Sequence, residues 1–133
     1  MKKLKLKPIK RNKTDYNYYL YLLLISLIII CIFGVFDYII HALDEEYAVP
    51  SYYYRNKIIF GTLIGFGVLL FTKKFSLRSR MFLFSGIVAL LMQIRYFLEG
   101  YSLEFVFEFL IMHFVLLLPV AWVVLKYMNK YNY

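Results

Sequence analysis

The chain has 133 residues, of which 62% are hydrophobic and 21% aromatic, with 16 Lys and Arg against 8 Asp and Glu. A soluble domain of this size cannot bury so much apolar surface, and the mean hydropathy of +0.65 places the chain in the integral membrane class. The net charge of +8 comes with no soluble recognition module, so it points to a membrane surface and excludes nucleic acid as a partner.

Residues 1–16 form a basic tail in which Lys2, Lys3, Lys5, Lys7, Lys10, Arg11 and Lys13 precede the first acid, Asp15. Beside a membrane helix, such a tail faces anionic lipid on the cytoplasmic side. The apolar run from Tyr18 to Phe36 is longer than the core of a secretory signal, and no small-x-small cleavage site follows it. It is expected to persist as the first transmembrane helix, spanning about 17–43. Cys31 within it has no partner for an intrachain disulfide and reads as a small buried hydrophobe.

Where that run ends, Asp37, His41 and either Asp44 or Glu45 follow at i, i+4 and i+7 or i+8, which shares one face if the helix continues. Imidazole and carboxylates on one face suit zinc, iron or copper, so His41, Asp37, Asp44 and Glu45 are the candidate metal ligands. The sequence has no HxH, HExxH or CxxC, so no cofactor is expected and a transition metal is the alternative. Pro50 then suits the first turn of a second helix.

The core of the second span, Ile58 to Phe71, is fourteen apolar or small residues, short for a crossing unless the helix begins near Ser51 and covers about 51–72. Tyr52, Tyr53 and Tyr54 then form an interfacial belt, while Arg55 and Lys57 lie deeper and must snorkel or pair. Gly61 and Gly65 make a small-xxx-small pattern for close helix approach, extended by Gly67. A basic loop holding Lys73, Lys74, Arg78 and Arg80 leads to a third span, about 81–98, whose small face carries Gly86 and Ala89. Gln93 and Arg95 interrupt it, and Arg95 can pair with Glu99 four residues on. The fourth span covers about 103–125, with Glu104 and Glu108 on one face, His113 deeper, and Pro119 expected to kink the helix by crowding the carbonyl of Val115. Residues 17–127 thus make one transmembrane domain, followed by a short tail over 128–133.

The tail, the middle loop and the C-terminus hold 13 of the 16 Lys and Arg residues, which puts both termini in the cytoplasm. Seven of the eight acids and both histidines fall on the opposite side, with Arg55, Lys57 and Arg95. Ionisable groups at membrane depth face the bundle interior and pair, so Asp37, Lys57, Arg95, Glu108 and His113 are expected to form an intramembrane polar network. Its simplest role is to fix helix register through Asp37 or Glu108 with Lys57 or Arg95. Proton relay through Glu108 and His113 is a further possibility, whereas the different depths expected for His41 and His113 disfavour a haem between them. No Ser-His-Asp spacing and no phosphate loop exist, since Gly61, Gly65 and Gly67 lie within a span; no catalytic residue is nominated.

The segment Phe75-Ser-Leu-Arg78-Ser-Arg80, followed by Gly86-Ile-Val-Ala89 and the in-membrane Arg95, resembles the small four-helix membrane proteins called phosphate-starvation-inducible PsiE-like. The resemblance implies a fold and no reaction. Arg95 lies about one turn later than the family arginine, and the second span lacks the acid that the family suggests there.

These observations predict an all-α fold, an integral membrane bundle of four antiparallel transmembrane helices. The expected role is that of a non-catalytic accessory or scaffold subunit whose partners are membrane lipids and other membrane protein subunits. The competing expectation is a small ion-, proton- or metal-handling protein that uses the polar layer.

Overall fold

The apolar runs become helices in the computed structural model, which describes residues 13–130. They are α1 (Lys13–His41), α2 (Tyr52–Phe71), α3 (Leu77–Leu98) and α4 (Leu103–Asn129), with a 3-10 turn over Glu45–Tyr47. Each of the four is long and apolar enough to cross a bilayer. Successive helices run antiparallel around a ring in which each packs on its two neighbours; α1 and α3, and likewise α2 and α4, stand diagonally apart. Most of the expected basic tail, and the last three residues, lie outside the described residues.

Local chemistry sets the boundaries. Ser76 caps α3 by accepting from the Ser79 N–H at 3.3 Å, so the helix starts at Leu77 and takes Arg78 and Arg80 into its first turns. Ser102 caps α4 in the same way, accepting from Phe105 N–H at 3.2 Å. Between them, Gly100 adopts φ 84°, its N–H reaching the Phe97 carbonyl and that of Tyr101 the Tyr96 carbonyl. This is a Schellman ending, completed by the packing of the Tyr96 and Tyr101 rings at 5.4 Å. Helix α4 continues through Pro119 to Asn129.

Every helix presents one inward stripe at i+3/i+4 spacing. In α1 this is Leu22, Ile25, Ser26, Ile29, Ile30, Phe33, Asp37 and His41; in α4 it is Phe105, Phe109, His113, Leu117, Ala121 and Leu125. Helix α2 offers a smooth strip instead. A Cβ on Gly65 would overlap Ser26 Oγ and stand 2.5 Å from the Phe84 ring, and one on Gly61 would lie 2.9 Å from Met92, whereas Gly67 meets nothing within 4 Å. The close-approach role therefore belongs to Gly61 and Gly65, and Gly67 takes no part. Ser26 Oγ uses the proximity to donate to the Thr62 carbonyl at 2.8 Å, and Tyr21 OH ties α1 to the end of α4 by donating to the Met128 carbonyl at 2.7 Å. Cys31 lies on the outward face of α1 and is exposed, so it is no core residue; the inward stripe passes it by at Ile29, Ile30 and Phe33. The outward faces are apolar, with Leu24, Ile28, Phe60, Leu63, Ile111 and Val115 all exposed, as contact with lipid chains requires.

Candidate functional site

At one level of the bundle the inward stripes stop being apolar, and each helix supplies polar groups to a shared layer. Asp37 and His41 come from α1, one turn apart; Lys57 comes from α2, Gln93 and Tyr96 from α3, and His113 from α4. All six are buried, Asp37 to 1% exposure and His113 completely.

Asp37 is the hub. Lys57 Nζ donates to its Oδ2 at 2.6 Å, and His113 Nε2 donates to its Oδ1 at 2.7 Å. Because His113 gives its Nε2 proton to the carboxylate, its Nδ1 offers a lone pair, and Gln93 Nε2 donates to it at 2.7 Å. His41 is set the other way round. Its Nδ1–H donates to the Tyr47 carbonyl, which leaves Nε2 as an acceptor 3.1 Å from Lys57 Nζ, 3.3 Å from Tyr96 OH and 3.5 Å from Asp37 Oδ1. With both imidazoles neutral, the layer holds one carboxylate and one ammonium and is electrically balanced. That balance matters, since an isolated charge at this depth would cost several kcal/mol.

Aromatic rings seal the layer. His41 stacks on Phe109 with centroids 4.6 Å apart and planes 2° from parallel, and Phe33 meets His113 edge-on at 5.3 Å. Tyr53, Tyr96, Phe105 and Phe109 form a second buried cluster on the side toward the α3–α4 turn. On the other side lie Ile29, Ile30, Phe33, Val88, Ala89 and Leu117, none of them exposed. The polar layer therefore has an apolar floor.

The candidate metal ligands divide into two groups. Asp37 and His41 enter the layer, while Asp44 and Glu45 are exposed outside it, Asp44 capping the 3-10 turn by accepting from Glu46 N–H at 3.0 Å. The spacing that placed Asp44 or Glu45 on the face of Asp37 and His41 required the helix to continue, and α1 stops at His41, three residues before Asp44. The place of those carboxylates is taken by His113, which with Asp37 and His41 brings three ligand atoms within 4.8 Å of one another.

The wider network divides as well. Asp37, Lys57 and His113 meet; Arg95 and Glu108 stand elsewhere. Arg95 Nε donates to Glu99 Oε1 at 3.0 Å, the pairing that the four-residue spacing suggested, and its guanidinium lies over the Tyr53 ring at 5.2 Å. Glu108 is exposed and accepts from Tyr47 OH at 3.0 Å, a bond that raises the Tyr47 hydroxyl above its usual pKa. Glu99, beyond the end of α3, also accepts from Tyr53 OH; this bond first and Arg95 second, against some burial, hold its carboxyl below the usual range. His41 and His113 have ring centroids 6.4 Å apart; His41 packs on Phe109, one turn from His113 on α4, and His113 bonds Asp37, one turn from His41 on α1, so the two rings stand about one turn apart along the bundle. Asp37 Oδ1, 2.7 Å from His113 Nε2 and 3.5 Å from His41 Nε2, fills with the Phe109 and Tyr96 rings the space that a macrocycle between them would need.

Gln93 and Tyr96 are the members of the layer that sequence reasoning left out. Gln93 was visible only as an interruption of the third span, and Tyr96 only as one of many tyrosines. Their signal is the stripe Val88, Ala89, Met92, Gln93 and Tyr96, whose spacing turns both side chains inward.

Neither a family model nor a curated protein nor a solved structure matches this chain. Its function is read from the geometry above.

Proposed function

We propose that this chain is a small non-catalytic integral membrane protein, an accessory or scaffold subunit of a larger membrane complex, with both termini in the cytoplasm. The observation that supports this reading most is the apolar floor beneath the polar layer. A conducting protein needs polar groups or water from one side to the other. Among the described residues, the polar groups beyond His113 and Gln93 are isolated hydroxyls such as Ser26, Thr62 and Ser85, separated by Ile29, Ile30 and Phe84. Ser26 spends its donor on a helix carbonyl, and the hydroxyls of Thr62 and Ser85 have no protein partner, so they form no relay.

Under this reading, the Asp37–Lys57 pair and its histidines fix the register of the four helices, and the outward apolar faces meet lipid and partner subunits. The resemblance to the PsiE-like proteins belongs to the same proposal and contributes a fold class without a reaction. Purification of the full chain from its native membrane in mild detergent tests the role. Stoichiometric co-purifying membrane subunits are the expected outcome, and a homogeneous monomer or homo-oligomer contradicts it. Reporter fusions at either end should both read cytoplasmic, by the distribution of Lys and Arg.

The reading as an ion- or metal-handling protein retains one favourable observation, the convergence of Asp37, His41 and His113.

A further inference from the structure

We infer that Asp37, His41 and His113 constitute a binding site for a divalent cation of the zinc class, with Lys57 as the resident cation that the metal displaces. This inference stands apart from the accessory role, because a metal held here would staple α1 to α4 whatever the protein's partners.

The distances carry the first step. A tetrahedral zinc with bonds of about 2.0–2.2 Å sets its ligand atoms about 3.4 Å apart. Asp37 Oδ1 stands 2.7 Å from His113 Nε2 and 3.5 Å from His41 Nε2, and the whole set lies within 4.8 Å. Small side-chain rotations open that triangle to a metal.

The outer partners carry the second step. A metal-bound imidazole has its remote nitrogen held by a carbonyl, carboxylate or similar group, which fixes the ring. His41 meets this condition, since its Nδ1 donates to the Tyr47 carbonyl, and His113 meets it once the Gln93 amide, 2.7 Å from its Nδ1, turns over. Each therefore turns Nε2 toward Asp37. Gln93 is 3% exposed, and its Oε1 is buried with no partner. Rotation of that amide brings Oε1 onto His113 Nδ1, as required once Nε2 gives its lone pair to a metal and the ring proton sits on Nδ1.

The site already holds a cation, because Lys57 Nζ bonds Asp37 and approaches His41 Nε2. An ammonium and a dication at that range repel, so the metal must exchange with Lys57 and cannot join it. The room for exchange exists. Lys57 lines a groove between α2 and α3, bounded by Asn56, Phe60, Met92, Arg95 and Tyr96 and open toward the outward surface, into which its long side chain can withdraw with the ammonium kept against the Tyr96 ring, whose centroid lies 5.2 Å away. Two imidazoles and one carboxylate suit zinc, iron(II) or copper(II) and not the oxygen-seeking magnesium and calcium.

The chain contains only two histidines, and both are in this site, so a tag-free preparation gives an unambiguous readout. The full chain in detergent, stripped with chelator, is dialysed against Zn²⁺ and its metal content measured. One zinc per chain is expected, unaffected by excess Mg²⁺ or Ca²⁺, and Co²⁺ in its place should give the intense visible absorption of tetrahedral coordination. His41→Gln and His113→Gln should each weaken binding at least about tenfold, the loss that removal of even an outer partner can cause. Lys57→Met, which vacates the carboxylate, should strengthen it by a similar factor. Circular dichroism and gel filtration establish that each variant is folded. Absence of stoichiometric zinc from both the native chain and Lys57→Met overturns the inference, as does zinc binding that appears only in Lys57→Met or that survives His113→Gln unchanged.

Discussion

One half of the bundle, from Leu22 to Phe33 on α1 and from Leu117 to Leu125 on α4, is closed by apolar side chains fitted against glycine. The other half is closed around Asp37 by an ion pair, two imidazoles, an amide and a ring of aromatics. The two solve the same problem in different ways. In lipid, apolar side chains gain little by leaving their surroundings, so the first half depends on shape, and close approach at Gly61 and Gly65 supplies it. The second half depends on direction, since each hydrogen bond fixes the distance and rotation of two helices at once. The apolar half should therefore tolerate volume-conserving replacements, while the polar half should lose stability on single changes and regain it on paired ones.

The largest effect is expected at Asp37. Asp37→Asn leaves Lys57 buried without its counter-ion, and breaking a buried pair in this way costs about 3–5 kcal/mol. Denaturant or thermal unfolding in detergent measures it, and a loss no greater than that of a surface substitution would contradict the role assigned to the pair. Next comes the apolar half. Gly65→Ala drives a methyl into Ser26 and Phe84 and should cost about 1–3 kcal/mol, whereas Gly67→Ala, in open space, should lie within about 0.5 kcal/mol of the native chain. Equal effects at the two glycines would remove shape as the organising factor of that half.

The smallest effect concerns the rim of the polar half and depends on pH. The Glu99 carboxyl titrates below its usual value because Tyr53 and Arg95 favour the charged form. A carboxylate with a lowered folded pKa stabilises fully above its unfolded value, about 4.3, and the contribution disappears as the pH falls through the folded value. The unfolding midpoint of the native chain should accordingly exceed that of Glu99→Gln at pH 7, with the gap closing in acid below pH ~4. A gap that persists unchanged in acid would assign the difference to packing.

The four spans were legible because each is a long apolar run bounded by charge, and the small face of α2 was legible from the spacing of Gly61 and Gly65. That a polar layer exists also followed from the sequence, since acids, histidines and three cations gather on one side of the topology. Its wiring did not. The bond between His113 and Asp37 joins residues 76 apart, and no local spacing specifies such a partner. Arg95 and Glu99 were readable as a pair because they are one turn apart on a single helix. Asp44 and Glu45 were drawn into the candidate site by extending α1 beyond His41, where the chain instead turns into a capped 3-10 segment. The turn carries its own use, for it brings the Tyr47 carbonyl back onto His41 and so sets which nitrogen faces Asp37.

The contrast between a half held by shape and a half held by paired charge is tested most directly by a double-mutant cycle at Asp37 and Lys57. Asp37→Asn, Lys57→Met and the double variant are unfolded under one set of conditions in detergent. If the pair is the lock, each single variant loses several kcal/mol and the double variant recovers most of that loss, because neither charge is then left alone in the membrane interior. If the double variant instead loses the sum of the two single effects, the charges act independently and the account of the polar half fails.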